Sequence, residues 1–122
     1  MHEVARGRWR GRLWRVLAET ERDLGVRTEL RIGRGPLASW ASRTGLRCEP
    51  GSIAWWWEAT SDKPSFVVVQ AAPDVDRVRA TGSDGAVFDL VLGETDSNTG
   101  LRFGASPTPP GVSIVEVVPA PG

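Results

Sequence analysis

The chain contains one cysteine, one histidine, one lysine and no tyrosine, and each shortage removes a class of chemistry. The lone Cys48 permits no internal disulfide and no multi-cysteine metal centre. Its neighbour Arg47 favours a thiolate, but no histidine stands nearby in sequence to act as its base, so Cys48 reads as a structural thiol. The lone His2 lies beside the terminus, where side chains are poorly held. That excludes zinc and argues against Ser–His or Cys–His catalysis. No apolar run approaches the roughly 20 residues of a bilayer-spanning helix, and no hydrophobic signal region follows the arginine-rich start. The chain as given reads as soluble, with an envelope or extracellular location following only if it is part of a longer exported protein. A single lysine, Lys63, against fourteen arginines points to a high-GC bacterial genome and weakens any argument from arginine abundance alone.

What is present is turn chemistry, valine and arginine. Fourteen Gly and nine Pro among 122 residues interrupt Val-rich runs, which predicts short strands joined by tight turns and leaves little room for long helices. A chain of this length suits one domain that buries roughly two-thirds of its unfolded surface. Residues 1–12 read as a basic amino-terminal arm or edge strand, 13–118 as a single β-sandwich domain, and 119–122 as a Pro/Gly tail. The net charge of zero hides a polarity: residues 1–47 hold eleven Arg against five acids, and residues 48–122 hold four bases against ten acids. This favours electrostatic complementarity between the halves, with a basic binding surface as the alternative.

Along the chain, Val26, Thr28, Leu30 and Ile32 alternate with Arg27, Glu29 and Arg31, predicting a half-buried hairpin with the run Leu13 to Thr20. A helix through Trp14, Leu17, Ala18, Glu21 and Leu24 is the competing reading. Pro36 to Thr44 reads as one short helix with Pro36 at its first position and Gly45 past its end. The unbroken Phe66-Val67-Val68-Val69 predicts a central strand covered on both faces. Asp84-Gly85, between Val75–Thr81 and Ala86–Leu92, is the strongest hairpin signal, because Asp-Gly tolerates positive φ. Gly93 to Gly100 reads as a flexible loop, Leu101 to Ala105 as a short strand, and Pro109-Pro110-Gly111 as the turn into a last strand over Val112 to Val118. The sum is an all-β, antiparallel β-sandwich of about eight strands with at most one short helix.

The run from Val67 to Gly85, with its Pro-x-Val-x-x-Val-Arg strand Pro73 to Arg79 and its Asp-Gly turn, and the later Pro109-Pro110-Gly111-Val112 resemble uncharacterised immunoglobulin-like β-sandwich envelope domains of high-GC Gram-positive bacteria. The resemblance covers roughly residues 66–118 and, weakly, Trp14 to Ile32. It implies an immunoglobulin-like envelope or extracellular domain, and it brings no catalytic motif to carry over.

Two features are candidates for binding. Trp55-Trp56-Trp57 cannot all enter one core: in a strand Ile53, Trp55, Trp57 and Ala59 share one side, and Ala54, Trp56 and Glu58 the other. Trp56 therefore needs a second cover, such as the Pro36–Thr44 helix, or serves as a platform for a protein or glycan partner. Arg6, Arg8, Arg10 and Arg12 recur every second residue and would line one side of an extended segment, interleaved with Trp9 and near Trp14. This could grip phosphates and stack bases. The duller alternative is a solvated, frayed terminus. Asp74 and Asp76, two apart, read as a solvated strand edge beside Arg77 and Arg79. Gly33-Arg34-Gly35-Pro36-Leu37-Ala38 with Glu58 about 20 residues on mimics a dinucleotide fingerprint, but the βαβ context is missing. Asp96 to Gly100 resembles the start of a calcium loop, yet Gly100 takes the third ligand position and Pro107 the place of the closing glutamate. The reading is a non-enzymatic interaction or accessory domain without metal or cofactor; nucleic-acid binding through Arg8, Arg10 and Arg12 is the alternative.

Overall fold

The computed structural model of the chain describes residues 1–21, 25–33, 35–41, 49–60 and 63–120. Among these there are ten strands and no helix: β1 (His2–Trp9), β2 (Arg12–Glu21), β3 (Gly25–Ile32), β4 (Gly35–Ala41), β5 (Ile53–Thr60), β6 (Lys63–Ala71), β7 (Arg77–Gly82), β8 (Val87–Val91), β9 (Arg102–Thr108) and β10 (Ile114–Pro119). They form three antiparallel sheets, ordered β1-β2-β3-β4, β5-β6-β9 and β10-β7-β8. The all-β expectation holds, with more strands than the sequence patterns suggested.

Local chemistry sets the hairpins. Trp9 pairs with Arg12 across a two-residue turn, in which Arg10 (φ 46°) and Gly11 (φ 78°) both adopt the left-handed conformation. That is the twist-matched turn for a right-handed β-ribbon. Gly85 (φ 83°) supplies the same freedom between β7 and β8, while Asp84 Oδ1 accepts the Ala86 N–H at 3.0 Å. The alternation from Val26 to Ile32 forms β3, paired with β2 from Trp14↔Ile32 to Glu21↔Gly25; over the described residues 14–21 the competing helix is replaced by β2. The helix expected from Pro36 is replaced by β4, which pairs with β3 from Arg27↔Ala41 to Ile32↔Gly35. The backbone groups on the free edge of β3 recruit this segment as a further strand, and a ladder partner overrides a weak local helix preference. The rest of that expectation, residues 42–44, lies outside the described residues, as does Cys48. Gly33 (φ 64°) belongs to the β3–β4 connection, so the glycine-rich stretch opens no helix.

The centre of the molecule is β6, flanked by β5 and β9 and apolar on both faces as its unbroken run predicts. Val67, Val69 and Ala71 pack with Val75, Val78, Ala80, Leu92, Ile114 and Val117 of the β10-β7-β8 side. Phe66 and Val68 point the other way, into a cluster with Trp14, Val16 and Leu30 of the β1–β4 sheet. A third cluster joins Ala18 and Val26 to Leu101 and Phe103.

Trp14 is the anchor of the second cluster. Its ring meets Phe66 edge-on, with centroids 5.7 Å apart and planes at 69°. It also lies across the backbone of its β1 partner Gly7, where an added Cβ would fall 2.3 Å from Trp14 Cζ2. The absence of a side chain at position 7 is what lets a cross-strand indole fold flat against β1. Gly7→Ala is expected to destabilise the protein by about 1–3 kcal/mol through overpacking, measured as a lower denaturation midpoint at unchanged slope. Phe66→Ala, which empties a fully buried site, should cost about 3–5 kcal/mol.

Candidate interaction site

The four amino-terminal arginines do not line one side. In a hairpin directly paired residues share a face, so the turn at Arg10-Gly11 places Arg12 on the side of Trp9, opposite Arg8 and its partner Leu13. Arg6 stays on the Arg8 face but is paired across to Arg15, which in turn pairs with Arg31. Chain reversal thus breaks the expected stripe and builds a different row, Arg6–Arg15–Arg31. Two of its members are neutralised locally, Arg6 by Glu3 at 2.7 Å and Arg31 by Glu29 at 3.0 Å. Arg10 stacks over the Trp9 ring at 4.9 Å, and Arg8 reaches the Gly11 carbonyl at 3.4 Å. Among the described residues Arg8, Arg10 and Arg12 make no ion pair. The arginine ion pairs described, including Arg27 with Glu19 and Glu21 and Arg79 with Asp89, all stay within one half of the chain. Complementarity between the halves is therefore not what these arginines supply.

The tryptophan triplet keeps its predicted parity, and its middle member is the deepest. Trp56 pairs with Val68, and Trp55 and Trp57 with Val69 and Val67, so the faces are as expected. Trp56 is 8 % exposed and belongs to the Trp14–Phe66 cluster, and its Nε1–H donates to Thr28 Oγ1 at 3.1 Å. Trp55 and Trp57 are only half-buried at the rim of the other cluster, where Trp57 Nε1–H donates to Thr108 Oγ1 at 3.1 Å. The structure corrects the platform reading: the β1–β4 sheet covers Trp56, and no open indole face is left there for a protein or glycan partner.

An open site occurs instead where the sheets diverge. Gly93 N–H donates to the Phe103 carbonyl at 2.9 Å and pins the end of β8 to β9. Beyond this point the strands enter different sheets, and a cleft of about 400 Å³ opens between them, lined by Val91 and Leu92, by Gly104 and Ala105, and by Ala5 and Trp14. Its size falls at the low end of ligand-binding sites. The polar groups it offers include unused strand edges. In an antiparallel ladder alternate residues turn both N–H and C=O to the same neighbour. The Phe103–Gly93 bond therefore marks Phe103, Ala105 and Pro107 as facing away from β6, with Ala105 directed toward the cleft side.

His2 is held, not frayed. Its Nε2 lies 2.9 Å from Asp96 Oδ1, and Asp96 Oδ2 accepts the Thr99 hydroxyl at 2.7 Å and the Thr99 N–H at 3.0 Å. This clasp ties the start of β1, one wall of the cleft, to the 93–100 loop, which the sequence presented as flexible. Burial works to raise the Asp96 pKa, but the Thr99 and His2 hydrogen bonds prevail and hold it below its usual range. The Thr99 hydroxyl donates to the carboxylate and not to the imidazole, so the trio is arranged as a tether. No group of metal-ligating side chains occurs among the described residues.

Searches of protein-family models, curated proteins and solved structures found no match to the chain. The residues that sequence reasoning missed are Val91, Ala105 and Ala5, whose types carry no chemical signal; only their convergence makes a cleft. The one available hint was Val87 to Val91, where valines stand at both ends of the face opposite Phe88 and Leu90.

Trp56→Phe keeps a ring but leaves the buried Thr28 hydroxyl without its indole donor, and should cost about 1–3 kcal/mol in chemical denaturation. Because the folded pKa of Asp96 is lowered, its contribution to stability is complete above the unfolded value of about 3.9 and is lost as pH falls through the folded value. Denaturation curves measured from pH 6 downward should therefore show a steeper loss of stability for the native chain than for Asp96→Asn.

Proposed function

We propose that this chain is a non-enzymatic interaction domain that recognises polypeptide through exposed strand edges. The observation that carries the reading is the convergence of β1, β8 and β9 on one cleft, all three at sheet edges among the described residues. Main-chain edges confer affinity for an extended segment, and the space beside them selects side chains. Two apolar clusters separating the three sheets support a sandwich-type architecture, and an immunoglobulin-like relationship to envelope domains belongs to the same proposal. Among the described residues, His2 and Thr99 are engaged structurally with Asp96.

Nucleic-acid binding is kept as a second reading for one reason: Arg8, Arg10 and Arg12 at the β1–β2 tip are free of ion pairs among the described residues. Against it, the hairpin divides them between two faces. A labelled oligothymidine of about 16 nucleotides is expected to show no anisotropy change at low salt, while extended peptides selected from a displayed random library bind and are weakened by Val91→Asp. Oligonucleotide binding that falls steeply with salt and disappears when Arg8, Arg10 and Arg12 are all changed to Ala would transfer the function to the second reading.

A further inference from the structure

Six strands lie at sheet edges: β1, β4, β5, β9, β10 and β8. An open edge is a template for strand pairing, and proteins commonly disrupt it with a bulge, a proline or a charge. Register breaks occur in the ladders of β1, β4, β5 and β10. β9 has Pro107 at an outward-facing position, where its missing N–H blocks pairing. β8 has neither device: its register with β7 runs unbroken from Thr81↔Val87 to Arg77↔Val91.

The outward groups of β8 can be assigned. Gly82 N–H bonds the Ala86 carbonyl at 2.8 Å, and Leu92 N–H bonds the Asp76 carbonyl at 2.9 Å, so Ala86, Phe88, Leu90 and Leu92 face β7. By alternation Val87, Asp89 and Val91 turn their N–H and C=O groups outward. The outward bond of Gly93 to Phe103 fits this phase. Val87 and Val91 are 54 % and 67 % exposed, and the one charge between them, Asp89, is already paired with Arg79 at 2.9 Å.

The strand also reads alike in both directions: Val87-Phe88-Asp89-Leu90-Val91 has valine at both ends, a large apolar residue inside each, and aspartate at the centre. We infer that the partner of the β8 edge is β8 of a second copy of this chain, joined antiparallel about a two-fold axis at Asp89. This deepens the interaction-domain reading and rests on it. Val87 would lie opposite the partner's Val91 on the outer face, and Phe88 opposite the partner's Leu90 on the inner face, where both are half-buried in one copy. The two Asp89 carboxylates meet at the axis with an Arg79 beside each, so like charge is offset within the interface. Each copy's three outward residues close about six main-chain hydrogen bonds in all. The cleft beside Val91 gives the partner's Val87 end its seat. Such an interface is isologous and closes at two subunits.

Sedimentation from about 1 µM to 1 mM with amide exchange read at single residues tests this. A dimer is expected, with Val87, Asp89 and Val91 amides exchanging slowly in it and fast on dilution. Val91→Pro removes an outward N–H but no bond to β7, acts twice by symmetry, and should weaken the dimer about 10- to 100-fold. A monomer throughout the range overturns the proposal, as does a dimer unaffected by Val91→Pro with its circular dichroism intact. If that variant unfolds, fast exchange of the three amides in the native dimer overturns it equally. Peptide capture by a strictly monomeric chain would sink the self-pairing and leave the interaction-domain reading standing; no capture by the dissociated monomer at high dilution, with slow exchange of the three amides in the dimer, would sink peptide recognition and leave the self-pairing.

Discussion

Burial of β6 on both faces is the constraint on which the other strands depend. Phe66 and Val68 on one side and Val67, Val69 and Ala71 on the other are all essentially inaccessible, and a strand that is dry on both faces must be covered twice. The β10-β7-β8 sheet takes one side and the β1–β4 sheet the other. At roughly 1.5–3 kcal/mol per fully buried large apolar side chain, this double cover is the main source of order in a chain with no helix among the described residues.

Three adjacent indoles become tolerable for the same reason. Trp56 shares the Val68 face and is sealed under the four-stranded sheet, its N–H satisfied by Thr28. Trp55 and Trp57 cover the rim of the opposite cluster, with Trp57 hydrogen-bonded to Thr108. Trp14 completes the arrangement by folding over Gly7 and meeting Phe66 edge-on, so a glycine in β1 and an aromatic residue in β6 are linked through one side chain.

Covering one central strand with separate sheets has a geometric consequence. Strands that belong to different sheets must part company, and β8 and β9 do so immediately after the Gly93–Phe103 bond. The cleft and the edge positions of β8 and β9 among the described residues follow from that divergence. The His2–Asp96–Thr99 clasp holds β1 against the same region, so the cleft wall and the tether are one piece of structure.

Much of this architecture was legible in the order of residues, because it depends on local chemistry. Alternation marked β3, the apolar run marked β6, Asp84-Gly85 marked the β7–β8 hairpin, and parity divided the tryptophans between two faces correctly. Where local and tertiary signals competed, the local one misled: Pro36 looked like a helix start but the segment pairs with β3, and the period-two arginines looked like one stripe until the Arg10-Gly11 turn folded them back. Outside the apolar run of β6, depth was illegible, since period two says which side a residue faces and nothing about how well that side is covered. Side-chain types and spacing therefore determined the β class, the main hairpins and the two-faced centre. Only the tertiary structure decided that Trp56 is sealed, that His2 is tethered, and that β8 is left open, because each depends on which strand edges and faces meet.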